Sequence, residues 1–112
     1  MMQPRPKVLP GKVTKVLTGC GNLYVTVTEN PGAFEVFAQL GKAGGCPACW
    51  NEAGARLVSM CLRAGINKEN IIKQLEGIMC SQPSIECRSC PDGIAQVLKG
   101  KKEEAQDGEL PR

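Results

Sequence analysis

The stretch Leu23-Tyr24-Val25-Thr26-Val27-Thr28-Glu29-Asn30-Pro31-Gly32-Ala33-Phe34-Glu35-Val36-Phe37-Ala38-Gln39-Leu40 decides the fold class. Leu23, Val25 and Val27 alternate with Tyr24, Thr26 and Thr28. Phe34, Val36, Ala38 and Leu40 alternate with Glu35, Phe37 and Gln39, and a period of two is that of half-buried strands. Asn30-Pro31-Gly32 between the runs is turn chemistry, so they predict an antiparallel hairpin. Upstream, residues 13–17 form a third β-branched run, joined to the second by the turn Gly19-Cys20-Gly21-Asn22. The meander has one apolar face that needs a cover.

Downstream the period changes to that of a helix. Trp50, Ala53, Gly54, Leu57, Met60, Cys61 and Ala64 recur at helical spacing, with Asn51, Arg56, Ser59 and Arg63 on other faces, so this stripe is expected to be the cover. Gly65 ends that helix after about four turns. Asn67 is placed to cap a second helix in which Ile66 and Ile71 form a hydrophobic staple and Ile71, Ile72 and Leu75 face the core. Gly77 stops it, a cysteine-bearing loop follows, and residues 91–98 form a short last helix ending at Gly100. The order β-β-β-α-α-α predicts an α+β domain: a three-stranded antiparallel sheet covered on one face by two to three helices, with a cysteine metal site at one edge.

A chain of 112 residues has room for one domain. Its ends differ from its middle, which predicts a disordered N-terminal arm over residues 1–11, a domain over 12–99 and a disordered charged tail over 100–112. The ordered part holds only four aromatic residues, so its core is small and needs an extra staple. No apolar run approaches the ~20 residues of a membrane span. The opening Met-Met-Gln-Pro-Arg-Pro lacks the apolar segment of a secretion signal, and seven cysteines is an odd number. The expected setting is therefore the reducing cytoplasm, with the cysteines serving as metal ligands, redox thiols or core fillers. A formal charge of +3, spread thinly, argues against nucleic-acid binding.

Cys46-Pro47 and Cys90-Pro91 share one local design. Proline suits a first helical position, so each cysteine is expected at or beside a helix N-terminus, where free N–H groups favour a thiolate. Cys20 falls in the first hairpin turn and Cys80 just past the second helix. Spacing by itself favours a different set, the doubled C-x-x-C of Cys46, Cys49, Cys87 and Cys90. With no histidine in the chain, a four-ligand site must be largely sulfur. Cys61, within an apolar helical stripe, reads as a small buried hydrophobe, and Cys49 and Cys87 read equally as ligands or fillers. Familiar iron–sulfur spacings are absent. A thioredoxin-type reading of Cys46-Pro-Ala-Cys49 lacks a βαβ setting. Gly41-Lys-Ala-Gly-Gly departs from the phosphate-loop pattern and reads as a tight strand-to-helix crossing. Asp92 reads as a partner of the last helix dipole rather than a catalytic acid, and no serine–histidine–aspartate set or carboxylate pair is present.

Four separated motifs, Thr18-Gly-Cys-Gly-Asn-Leu-Tyr-Val-Thr-Val, Glu35-Val-Phe-Ala-Gln-Leu-Gly-Lys-Ala-Gly-Gly-Cys, Ile72-Lys-Gln-Leu-Glu-Gly-Ile-Met-Cys and Ser89-Cys-Pro-Asp, together resemble the TSCPD domain, from about residue 16 to residue 98. That family includes the C-terminal domain of class II, adenosylcobalamin-dependent ribonucleotide reductases and short stand-alone relatives. Arg88 stands where the name motif has threonine. The resemblance implies one metal set at Cys20, Cys46, Cys80 and Cys90, expected to hold structural zinc, with Cys49 and Cys87 as alternative ligands or redox thiols. It also implies a detached accessory domain in deoxyribonucleotide synthesis and DNA replication. The chain has neither the catalytic barrel nor a cobalamin site, so it is not expected to reduce a ribonucleotide alone. The partner implied is a class II reductase or related enzyme, or, if the thiols carry electrons, a thioredoxin-type reductant.

Overall fold

The computed structural model describes residues 4–41 and 45–100. Three antiparallel strands, β1 (Gly11–Thr18), β2 (Gly21–Glu29) and β3 (Ala33–Leu40), lie in the order β1-β2-β3, and α1 (Gly45–Arg63), α2 (Lys68–Leu75) and α3 (Cys90–Lys99) follow. The fold is α+β with an open sheet. The register puts Val16 opposite Leu23, Val25 opposite Ala38 and Val27 opposite Val36, which gathers the alternating apolar residues on one face. Ala55, Val58 and Leu62 of α1, Ile71 and Ile72 of α2, and Ile94, Ala95 and Leu98 of α3 close over that face. No helix among the described residues is long and apolar enough to cross a membrane.

Helix ends follow the local chemistry. Asn67 accepts the Glu69 N–H and opens α2, Ser89 accepts the Asp92 N–H and opens α3, and Gly100 closes α3 at φ 82°. On the uncovered face of the sheet, Val13, Tyr24 and Phe37 stay exposed, yet Glu35 is buried. Its carboxylate pairs with Arg5 Nε at 2.8 Å and accepts the Thr28 hydroxyl at 3.2 Å. Residues 4–10 thus run past the row Gly11–Thr28–Glu35, and the residues from 101 onward lie outside those described.

The expected covering face of α1 is corrected. Trp50, Leu57 and Met60 point outward, and the buried residues of the helix are Asn51, Ala55, Val58 and Leu62. Two polar residues can turn inward because their bonds are met. Asn51 donates to the Pro47 carbonyl at 2.9 Å, and Ser59 accepts the Val36 N–H at 2.8 Å while donating to the Val36 carbonyl at 2.9 Å. Val36 lies on the free edge of the sheet, so the Ser59 hydroxyl takes one rung of a missing fourth strand. Small Ala55 lets α1 settle against β3, where an indole would not fit. Arg63 completes this contact, 5.5 Å over the Phe34 ring.

Candidate thiol site

The β1–β2 turn is braced by Thr18, whose hydroxyl donates to the Gly21 carbonyl at 2.8 Å and accepts the Cys20 N–H at 3.1 Å. Gly19, beside it, permits an unusual approach. A Cβ built there would stand 1.6 Å from the Gln82 carbonyl oxygen, so no other residue lets the loop after α2 cross the turn at this distance. The crossing carries Cys80 to Cys20. The Cys80 N–H donates to the Arg88 carbonyl at 3.1 Å, and its sulfur accepts the Gln82 N–H at 3.2 Å.

The same loop is stitched to its neighbours at both ends. Asp92 accepts the Gly77 N–H at 2.8 Å, the Arg88 N–H at 2.9 Å and the Gln96 amide at 3.2 Å, so one buried carboxylate ties the loop's ends to α3. Burial works against its charge, but those N–H donors and the Arg88 guanidinium hold its carboxyl below the usual aspartate value. At the β1 edge, Glu86 accepts the Leu17 N–H at 2.8 Å and the Ser84 hydroxyl donates to the Leu17 carbonyl at 2.6 Å. Cys90 occupies the first position of α3, behind the Ser89 cap and ahead of Pro91.

Cys20 of the hairpin turn therefore has thiol neighbours from two other segments, Cys80 from the loop and Cys90 from α3. Burial raises the Cys20 thiol above its ordinary value, and the nearby Cys90 and Cys80 sulfurs raise it further. Cys87 behaves differently. It is buried, its thiol donates to the Leu17 carbonyl at 3.4 Å, and burial is the chief cause of its raised pKa. Cys61 is partly buried against the core. Cys46 and Cys49 are exposed in the first turns of α1, with the Cys49 thiol donating to the Cys46 carbonyl at 3.3 Å. Residues 42–44, directly before them, lie outside the described residues.

No disulfide links any of the seven cysteines, and among the described residues no three histidine, cysteine, aspartate or glutamate side chains are gathered as a metal-binding group. Of the four cysteines grouped by the resemblance, Cys20 has Cys80 and Cys90 as neighbours, and Cys46 is exposed at the start of α1. The sequence reading did not find Gly19 or the Ser84 and Glu86 contacts, and gave Asp92 a smaller role than it has. Only Asp92 left a signal, the Ser-x-x-Asp spacing of a capping motif. A groove of about 990 Å³ runs between β3 and α1, past Ala38, Leu40, Arg56 and Ser59, and no cysteine lines it.

A family model described as TSCPD domain matches residues 2–102. No curated protein and no solved structure matches the chain.

Proposed function

Because the chain belongs to the TSCPD domain family, which relates it to the ribonucleotide reductases, we propose that it is an accessory domain of such an enzyme, built around a structural zinc and without a reaction of its own. The observation that carries this reading is the approach of Cys80 and Cys90 to Cys20 at the first hairpin turn. The donor set fits the metal. The Cys20 thiol, which burial and the neighbouring Cys90 and Cys80 sulfurs disfavour as an anion when metal-free, loses that penalty beside a divalent cation, which soft sulfurs meet as thiolates. An N–H already directed at the Cys80 sulfur suits an anionic acceptor, and the start of α3 offsets charge on Cys90. Cys46 is the proposed fourth ligand, and Cys87 is disfavoured because its thiol is turned to the Leu17 carbonyl.

The domain spans residues 12–99, works in the reducing cytoplasm and docks on a class II reductase or a related enzyme of nucleotide metabolism. Zinc gives it a rigid surface and no chemistry beyond that. The test is anaerobic purification without chelator, followed by metal analysis and capture of purified reductase. One zinc per chain and a saturable complex are the expected results. A chain that holds no metal and unfolds at the same temperature with and without chelator sinks the zinc reading, and no binding to the reductase sinks the docking reading.

A second reading rests on a separate observation, the exposed pair Cys46 and Cys49 at a helix start. As a dithiol it would give up two electrons and two protons to an oxidised reductase disulfide and be restored by a thioredoxin-type reductant. A redox titration distinguishes the two, since a thiol held by zinc is not free to cycle.

A further inference from the structure

Helix α1 presents its more apolar face to solvent. Trp50 is 73% exposed, Leu57 60% and Met60 51%, while the narrower buried face is built on Ala55, Val58 and Leu62. At 100° per residue, Trp50, Ala53, Gly54, Leu57, Met60, Cys61 and Ala64 all fall within about 60° of the Leu57 direction, a seam free of charge whose Cys61 edge is half-buried against the core. Glu52 and Arg56 lie beside it, paired with each other at 2.6 Å.

The order of sizes along this seam says what covers it. Counted outward from Leu57, three residues lead to Gly54 on one side and Met60 on the other, four to Ala53 and Cys61, and seven to Trp50 and Ala64. Away from the centre, the two large side chains, Trp50 and Met60, each have a small one at the mirrored position. We infer that this face pairs with the same face of a second copy, antiparallel, about a two-fold axis at Leu57. The axis sets Trp50 over the partner's Ala64, Met60 over the partner's Gly54, and Leu57 against the partner's Leu57. A parallel pair in register would instead stack Trp50 on Trp50 and leave a gap at Gly54. A Cβ added at Gly54 meets nothing within 4 Å, so the space that a partner methionine needs is open. An isologous contact of this kind closes on itself and stops at two copies.

Size sets the strength. A helix of 19 residues is about 28 Å long and 10–12 Å wide, so its face offers roughly 300 Å² per copy, below the ~800 Å² of a standard interface. The dimer is accordingly weak, with a dissociation constant in the micromolar range or above.

The experiment uses the full chain under reductant, so that exposed cysteines cannot cross-link. Sedimentation is followed from about 1 µM to about 1 mM together with emission from Trp50, the only tryptophan. Mass should double and the emission shift to the blue over the same concentrations. Leu57→Lys should raise the dissociation constant at least about tenfold, with the circular dichroism unchanged because Leu57 is exposed. Gly54→Met should weaken the dimer by opposing two methionines, and Gly54→Met with Met60→Ala should restore it. A monomer at every concentration overturns the proposal, as does a dimer indifferent to Leu57→Lys. So does a double variant that dimerises no better than Gly54→Met alone, and any of these outcomes leaves the face to a different protein.

Discussion

Cys46-Pro47 and Cys90-Pro91 are the same local device at the starts of two helices, and the fold treats them differently. Cys90 opens α3 behind a serine cap, next to Asp92, and lies near Cys20, which Cys80 also approaches. Cys46 lies exposed in the first turn of α1. A cysteine before a proline fixes where a thiol sits on its helix, and nothing more. Whether that thiol finds partners depends on which chain segments cross the helix start. At α3 the crossing is enforced by Gly19 and by the clasp of Asp92 on Gly77 and Arg88. Among the described residues no such clasp acts on Cys46.

Metal binding puts that contrast to its hardest test. Structural zinc contributes on the order of 10 kcal/mol to small domains of this kind, comparable with their whole stability. Cys90→Ser, Cys20→Ser and Cys80→Ser should each abolish stoichiometric zinc and leave the chain largely unfolded by circular dichroism. If Cys46 is the fourth ligand, Cys46→Ser matches them and the contrast between the two helix starts disappears once metal is bound. Retention of zinc by Cys46→Ser would instead keep the contrast and remove Cys46 from the site.

The next effect in size isolates the crossing itself. Gly19→Ala places a methyl against the Gln82 carbonyl, and the turn or the loop must move. The expected cost is about 3 kcal/mol in denaturant unfolding, the range of overpacked sites, with weakened metal binding because Cys80 withdraws from Cys20. A neutral Gly19→Ala would mean that the loop reaches Cys20 without this approach.

Asp92 comes third. Asp92→Asn keeps the shape but replaces one acceptor oxygen by a donor facing the Gly77 or Arg88 N–H, at a cost of about 2 kcal/mol. The sign of the pH dependence follows from its depressed pKa. The unfolded chain takes up the proton first as acid is added, at a pH of about 4. The stabilisation is therefore complete above that value and is lost as pH falls through the lower folded value. Unfolding midpoints measured across the acid range should fall for the native chain and be flatter below about pH 4 for Asp92→Asn.

The strands, turns and helix stops were legible because each is set by neighbours in sequence: alternation for β2 and β3, Asn67 and Gly100 for helix ends. The inward face of α1 was not. Hydrophobicity pointed to the Trp50, Leu57 and Met60 stripe, and the fold chose the face where Ser59 meets an open strand edge. That choice depends on β3 being the last strand, a property of the whole sheet that α1 does not encode. In the thiol site, the helix position of Cys90 was legible from its own neighbours in sequence, and its company only from the family resemblance, because spacing pointed to Cys46, Cys49 and Cys87 instead. Bringing Cys80 to Cys20 depends on a glycine whose reason is a carbonyl 63 residues away. The Cys87 thiol turns to Leu17, a contact that C-x-x-C spacing cannot foresee.

The smallest effect concerns the other helix start and why it needs no clasp. α1 is held to the sheet along its length, and Ser59 is its most specific tie, standing in for a strand at Val36. Ser59→Ala removes one donor and one acceptor, leaving a main-chain N–H and carbonyl without that partner at a partly buried edge. Water reaches such an edge through the groove beside it, so the cost should be about 1 kcal/mol, below the full penalty of a sealed unsatisfied pair. Because the sheet stays in place, zinc stoichiometry and the acid limb set by Asp92 should not change. Amide exchange at Val36 should rise well above that of its core neighbours. A loss of several kcal/mol, or loss of metal with Ser59→Ala, would show that the two helix starts are coupled through β3, and the contrast between a clasped and an unclasped cysteine would have to be replaced by a single cooperative unit.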